Sequence, residues 1–126
     1  MHVRDIGPDD RGRYQDFLDS LRQDPQLTFY HSWEWGEVID ARSSRLTRVA
    51  LEHDGELVAV GQVGLEVDNR VAFWYAPRGL AMDHSDPERV GAAYGALRDH
   101  FRGREGAAFL RVDPNVLQGS PAEEAL

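Results

Sequence analysis

The chain has 126 residues, with 22 acidic side chains against 14 basic ones, five histidines and no cysteine, for a formal net charge of −8. One domain of this size buries a core without metal or disulfide staples, and the lack of cysteine excludes disulfides, thiolate nucleophiles and cysteine-held zinc. The basic residues are all arginine, which excludes Schiff-base and P-loop lysines, and the acidic balance argues against a stand-alone nucleic-acid binder, whose phosphate contacts need a basic face.

Val3 to Ile6 reads as a first strand, broken by Gly7-Pro8. Asp9 or Asp10 can cap the helix that follows, in which Tyr14, Phe17, Leu18 and Leu21 form an apolar stripe that ends near Asp24-Pro25. Ser32 is the expected cap of a second helix, with Trp35, Val38 and Ile39 as its buried stripe and Arg42-Ser43-Ser44 as its exit. A meander follows. It runs from a strand at Leu46 to His53, through an Asp54-Gly55 hairpin whose two positions need positive φ, to a strand at Leu57 to Val67. A turn at Asp68-Asn69 then leads to a third strand from Arg70 to Tyr75. Residues from Ala76 to Ser85 read as a loop. Asp86 and Pro87 open the next helix, whose stripe is Val90, Ala93, Tyr94, Leu97 and Phe101, and whose end is marked by Gly103 and Gly106. Ala107 to Val112 is a last strand, closed by Asp113-Pro114.

These elements predict one domain over residues 1–116 and a polar tail or linker over 117–126. No run is apolar enough to span a bilayer. MHVRDIG has neither the basic start nor the apolar stretch of a signal peptide, so the cytoplasm is the expected location. The order strand, helix, helix, three antiparallel strands, helix, strand resembles the opening of the GNAT acyltransferase fold. The expected class is therefore α/β, with a mixed, mostly antiparallel sheet flanked by helices.

The GNAT resemblance implies a diphosphate cradle of backbone amides between the third meander strand and the helix after it. At that junction stands Pro77-Arg78-Gly79-Leu80-Ala81-Met82, with Ala81 three positions after Arg78. Asp83, Asp86 and Glu88 follow, and these acids repel a diphosphate. Acetyl-CoA use is disfavoured and no cofactor is expected.

Three segments point elsewhere. His31-Ser32-Trp33-Glu34-Trp35-Gly36-Glu37-Val38 resembles the QSxEWGEV segment of the FemAB family. Tyr75-Ala76-Pro77-Arg78-Gly79 resembles its Y-x-PRGP loop, and Phe109-Leu110-Arg111-Val112-Asp113-Pro114 its FLRIDP strand. The three occur in family order, and the resemblance covers most of this chain but only the first half of a typical member. It implies a non-ribosomal peptidyltransferase built from two GNAT-like halves. Such enzymes move an amino acid from aminoacyl-tRNA onto the amine of a peptidoglycan-precursor stem peptide. This chain would then be the half that binds the UDP-linked muramyl peptide, inactive alone, with aminoacyl-tRNA met through a missing second half. Two departures stand out: Ile39 occupies the place of a lysine that helps hold the precursor's phosphate-bearing end, and Leu80 that of a proline, so the loop is expected to be less rigid.

The substrate-binding candidates are Arg78, Tyr75, Gly79, Trp35 and Asp83. Arg78 can grip a carboxylate or phosphate with two prongs, or pair with Asp83 or Asp86 to fix its own loop. Tyr75 offers a hydroxyl or simply belongs to the core, and of Trp33 and Trp35 one is expected to be exposed. Asp83 can orient an amine or serve the helix start. Arg111 and Asp113 read as an ion pair or a turn, and His31, where the family has Gln, as a hydrogen-bonding residue. No HExxH pair, GxSxG elbow, nucleophile or general base is evident. That fits an amine attacking an activated ester, where positioning supplies much of the rate. Two other readings are a non-catalytic GNAT-like module, possible as a homodimer, and an acetyl-CoA N-acyltransferase.

Overall fold

A computed structural model describes residues 1–24, 27–42 and 45–113. Pro25, Ser43, Ser44, Pro114 and the proposed tail at 117–126 lie outside the described residues. Strand β1 (His2–Ile6) leads through a 3-10 turn into helix α1 (Arg11–Ser20). A second 3-10 turn at Phe29–His31 precedes helix α2 (Trp33–Arg42). The meander is β2 (Arg45–His53), β3 (Glu56–Asp68) and β4 (Val71–Ala76). A two-residue strand β5 (Ala81–Met82), helix α3 (Pro87–Phe101) and strand β6 (Leu110–Val112) complete the described chain.

The sheet runs β1-β2-β3-β4-β6, with β5 paired to β3 off this path. Every pairing is antiparallel except β4 with β6. That one parallel pair needs a crossover, which α3 supplies. The result is the expected α/β, GNAT-like, mostly antiparallel sheet flanked by helices.

Period-2 alternation divides the two faces. Trp74, Ala76, Val49, Leu51 and Val63 pack with Val90, Ala93, Leu97 and Phe101 of α3. On the other face Val60 packs with Tyr14 and Leu18 of α1 and Trp33 of α2. The Asp54-Gly55 hairpin has φ of 52° and 78°, as its turn type demands. The next turn falls one residue later than expected, on Asn69 (φ 50°) and Arg70 (φ 67°), because Asp68 still pairs with Val71.

Three local expectations are corrected. Asp10 does not cap α1; its carboxylate reaches back to the Gly7 amide at 3.2 Å and closes the preceding turn. The region from Ala76 to Ser85 is not all loop, since Ala81 and Met82 pair with Val60 and Ala59. Helix α2 buries Trp33 and Gly36 rather than the Trp35, Val38, Ile39 stripe, and Val38 is 41% exposed. The reason is the missing side chain at Gly36: a β-carbon there would lie 1.8 Å from Gln62 Oε1. The helix turns its slimmest face to the sheet and so approaches it closely.

Candidate functional site

The β4 strand ends in a tight turn, in which the Gly79 amide donates to the Ala76 carbonyl at 3.1 Å. Pro77 pre-sets the first central position, and Arg78 holds the second with φ of 64°. Positive φ at that place defines a type II turn and is normally left to glycine. Gly79 follows with φ of 68°. The strain at Arg78 is held by its neighbours: the His31 Nε2–H donates to the Arg78 carbonyl at 3.2 Å, while His31 Nδ1 accepts from the Thr28 amide at 3.1 Å. His31 is 3% exposed, and burial holds its pKa below the ordinary value of 6.5. It therefore acts as a neutral, two-ended strut, in agreement with its sequence reading.

Leu80 corrects the expectation of a looser loop. Its side chain is fully buried, its amide donates to the Tyr94 hydroxyl at 2.8 Å, and it fills the space above Gly61. Burial in turn pushes the Tyr94 phenol up to about 12. A proline at position 80 has no N–H to make this bond.

Beside the turn lies a cleft of about 300 Å³. Helix α2 and the turn before it supply Tyr30, Trp35 and Ile39; β4 and its exit supply Tyr75 and Pro77; Gly64 and Glu66 line it from β3. A β-carbon on Gly64 would meet Glu66 Oε1 at 3.5 Å and Ile39 Cγ2 at 3.7 Å, ordinary contact distances, so both side chains flank this point of the cleft. Tyr30 and Trp35 meet edge to face with centroids 5.1 Å apart, and Phe29 stacks on Tyr30 at 4.2 Å. The Trp35 Nε1 is buried without a hydrogen-bond partner.

Tyr75 is not a core residue. Its half-buried phenol donates to Asp113 Oδ2 at 2.5 Å, and this bond, ahead of burial, raises its pKa. Arg111 lies 3.7 Å from the other Asp113 oxygen, with its guanidinium carbon 5.2 Å from the Tyr75 ring centroid. The ion-pair reading of Arg111 and Asp113 thus describes half of what Asp113 does.

Arg78 is exposed and has no acid partner among the described residues, so its pairing with Asp83 or Asp86 is not found. Its guanidinium carbon sits 5.4 Å from the Tyr30 ring centroid. Asp83 instead accepts from the Ser85 amide at 2.9 Å, and that bond lowers its pKa. It does not line the cleft. Asp86 caps α3 by accepting from the Glu88 and Arg89 amides. The amides of Gly79, Leu80, Ser85, Glu88 and Arg89 are thus engaged within the chain, where a diphosphate cradle would need them free.

Structure therefore brings Trp35, Tyr75 and the Arg78-Gly79 turn together and leaves Asp83 apart. Sequence reasoning missed Tyr30, Gly64 and Glu66. Glu66 had a visible signal, an acid on the β3 face that alternation shares with Gln62 and Gly64, but nothing along the chain shows that α2 stops short of it. Among the described residues no group of three side chains suits a metal, and no helix is long and apolar enough to cross a membrane.

The FemX crystal structure matches 99% of this chain and 30% of its own, with a TM-score of 0.75 and 22% identity. A probable acetyltransferase matches at TM-score 0.66 and 16% identity, over 99% of this chain and 85% of that one. A putative acetyl transferase from Pyrococcus furiosus gives 0.60 and 14%, over 98% and 87%. These likenesses concern the fold, and the chain spans about three-tenths of FemX. A search of curated proteins finds no match in sequence. The sequence model of the FemAB family matches residues 12–123, nearly the whole length, and the chain belongs to the FemAB family.

Proposed function

We propose that this chain is the precursor-binding, GNAT-like half of a FemAB-type aminoacyltransferase that acts on the stem peptide of a UDP-linked muramyl precursor. The observation that carries the reading is the meeting of three separated segments at one cleft. Trp35 comes from the first segment, Tyr75 and Pro77 from the second, and Asp113 of the third fixes the Tyr75 hydroxyl. Arg78, exposed and without an acid partner among the described residues, stands at the rim as a guanidinium for a carboxylate or phosphate of the precursor. Chemistry in such an enzyme needs little from this half. An amine attacks an ester already activated on tRNA, and the protein contributes position.

Calorimetric titration with a UDP-linked muramyl peptide tests the reading. The wild type is expected to bind, and Arg78→Ala to bind about tenfold more weakly, as loss of a charge-assisted contact implies. Equal affinity removes Arg78 from the site, and no binding by either protein removes the precursor-binding reading. The acetyl-CoA alternative has the engaged amides and the acids at the α3 start against it; tight acetyl-CoA binding in the same calorimeter would restore it.

A further inference from the structure

Both ring nitrogens of His84 are buried without a hydrogen-bond partner. The residue stands between β5 and α3, and its side chain is only 5% exposed. A neutral imidazole offers one N–H donor and one acceptor, and leaving both unpaired in the interior is unfavourable. Facing its Nδ1 at 3.8 Å is a carboxylate oxygen of Asp24, in the connection between α1 and α2. That separation lies just beyond a hydrogen bond, and an approach of roughly 1 Å would give a charge-assisted one.

Protonation turns the unpaired acceptor of the ring into a second donor and sets a positive charge before Asp24. The other titratable groups that act on His84 are Asp83, beside it in sequence, and His31, ahead of α2. Asp83 is already bonded to the Ser85 amide. A charge on His84 opposes a second one on His31, so the neutral His31 keeps its bonds to Thr28 and Arg78. The connection that holds Asp24 is a series of tight turns: the Asp24 amide donates to the Leu21 carbonyl at 2.7 Å, Leu27 to Asp24 at 3.2 Å and His31 to Thr28 at 3.1 Å. It also carries Tyr30, which lines the cleft.

We propose that His84 and Asp24 form a proton-operated latch, in which protonation of the buried ring closes its gap to the carboxylate and fastens the α1–α2 connection against the β5–α3 loop. The latch is open in the neutral state, and the segment that carries Tyr30 is held most firmly when it is closed. This device does not depend on what the cleft binds.

The test is an NMR titration of the full chain from about pH 8 to about pH 5, the range in which histidines change charge. It follows the His84 ring and the hydrogen exchange of the Leu27, Thr28 and His31 amides, corrected for intrinsic rates. In the wild type, protection of these amides is expected to rise about tenfold as His84 takes up its proton. In Asp24→Asn the His84 midpoint is expected about one pH unit lower, the shift that corresponds to a tenfold change in the closing equilibrium, and the rise is expected to vanish. His84→Phe keeps a ring in place without the unpaired nitrogens; it is expected to fold as well as the wild type at the alkaline end and to show flat protection throughout. An equal His84 midpoint in wild type and Asp24→Asn, protection that stays level or falls as His84 titrates, or a rise that survives in His84→Phe would each overturn the latch. The muramyl-peptide titration is scored separately, so the two readings fail by different results.

Discussion

Gly36→Ala isolates the contact that holds the cleft's aromatic wall to the sheet. The added β-carbon would stand 1.8 Å from Gln62 Oε1 and 2.6 Å from an Arg48 Nη2. Gln62 is 5% exposed and cannot swing into water. Its carbonyl accepts from Arg48 Nε at 2.8 Å, and its amide donates to the Ser32 and Tyr30 carbonyls at 2.9 and 3.3 Å. Arg48 also donates to the Trp33 carbonyl at 2.8 Å and lies over the Trp33 ring at 3.6 Å. Pushing Gln62 aside leaves at least two buried groups unpaired, at about 1–3 kcal/mol each, or roughly 3 kcal/mol together. Alanine returns about 1 kcal/mol of helix propensity. The expected net loss is about 2 kcal/mol, or about 8 °C in melting temperature for a domain of this size. Gly95→Ala in α3 is the control: nothing lies within 4 Å of its β-carbon, so it is expected to gain up to about 1 kcal/mol. Urea unfolding followed by circular dichroism reads both. If Gly36→Ala gains stability as Gly95→Ala does, the close-approach argument is wrong.

Leu80→Pro places the family's residue in the turn and is expected to destabilise by roughly 3 kcal/mol or more, since it removes a fully buried leucine and the bond to Tyr94. Tyr94→Phe is expected to lose about 1–2 kcal/mol in the same denaturation assay, and a neutral result for both would mean the amide has another partner. Tyr75→Phe removes the hydroxyl bonded to Asp113; about 1 kcal/mol of stability is expected to go, along with some affinity for the muramyl peptide, whereas unchanged binding would restrict Tyr75 to a structural part. His31 gives a pH signature. Its folded pKa lies below the unfolded 6.5, so the unfolded chain takes up the proton first. Its share of stability is present above that value and is lost as pH falls below it towards the lower folded pKa, by at most about 1.4 kcal/mol per unit. His31→Gln is expected to flatten the slope in that window, and an unaltered slope would assign it elsewhere.

The sequence alone determined the order of the main helices and strands, though not the short β5, because each of their signals is local. Asp54-Gly55 makes its hairpin from its own backbone preferences, Asp86-Pro87 starts α3 with its own side chain and ring, and the stripe from Val90 to Phe101 needs only helical spacing. The three motif segments were legible for the same reason, and with them Arg78, Tyr75 and Trp35. Tertiary structure decided which face of α2 is buried, since a short helix with aromatics on two sides has no preference until Gly36 meets Gln62 and Arg48. It also decided that Asp83 stays with Ser85, that Leu80 anchors its loop, and that Glu66 shares a cleft with residues more than thirty positions away. Contacts of that kind depend on how closely two elements approach, a distance that side chains on both partners set together and that neither stretch of sequence specifies by itself.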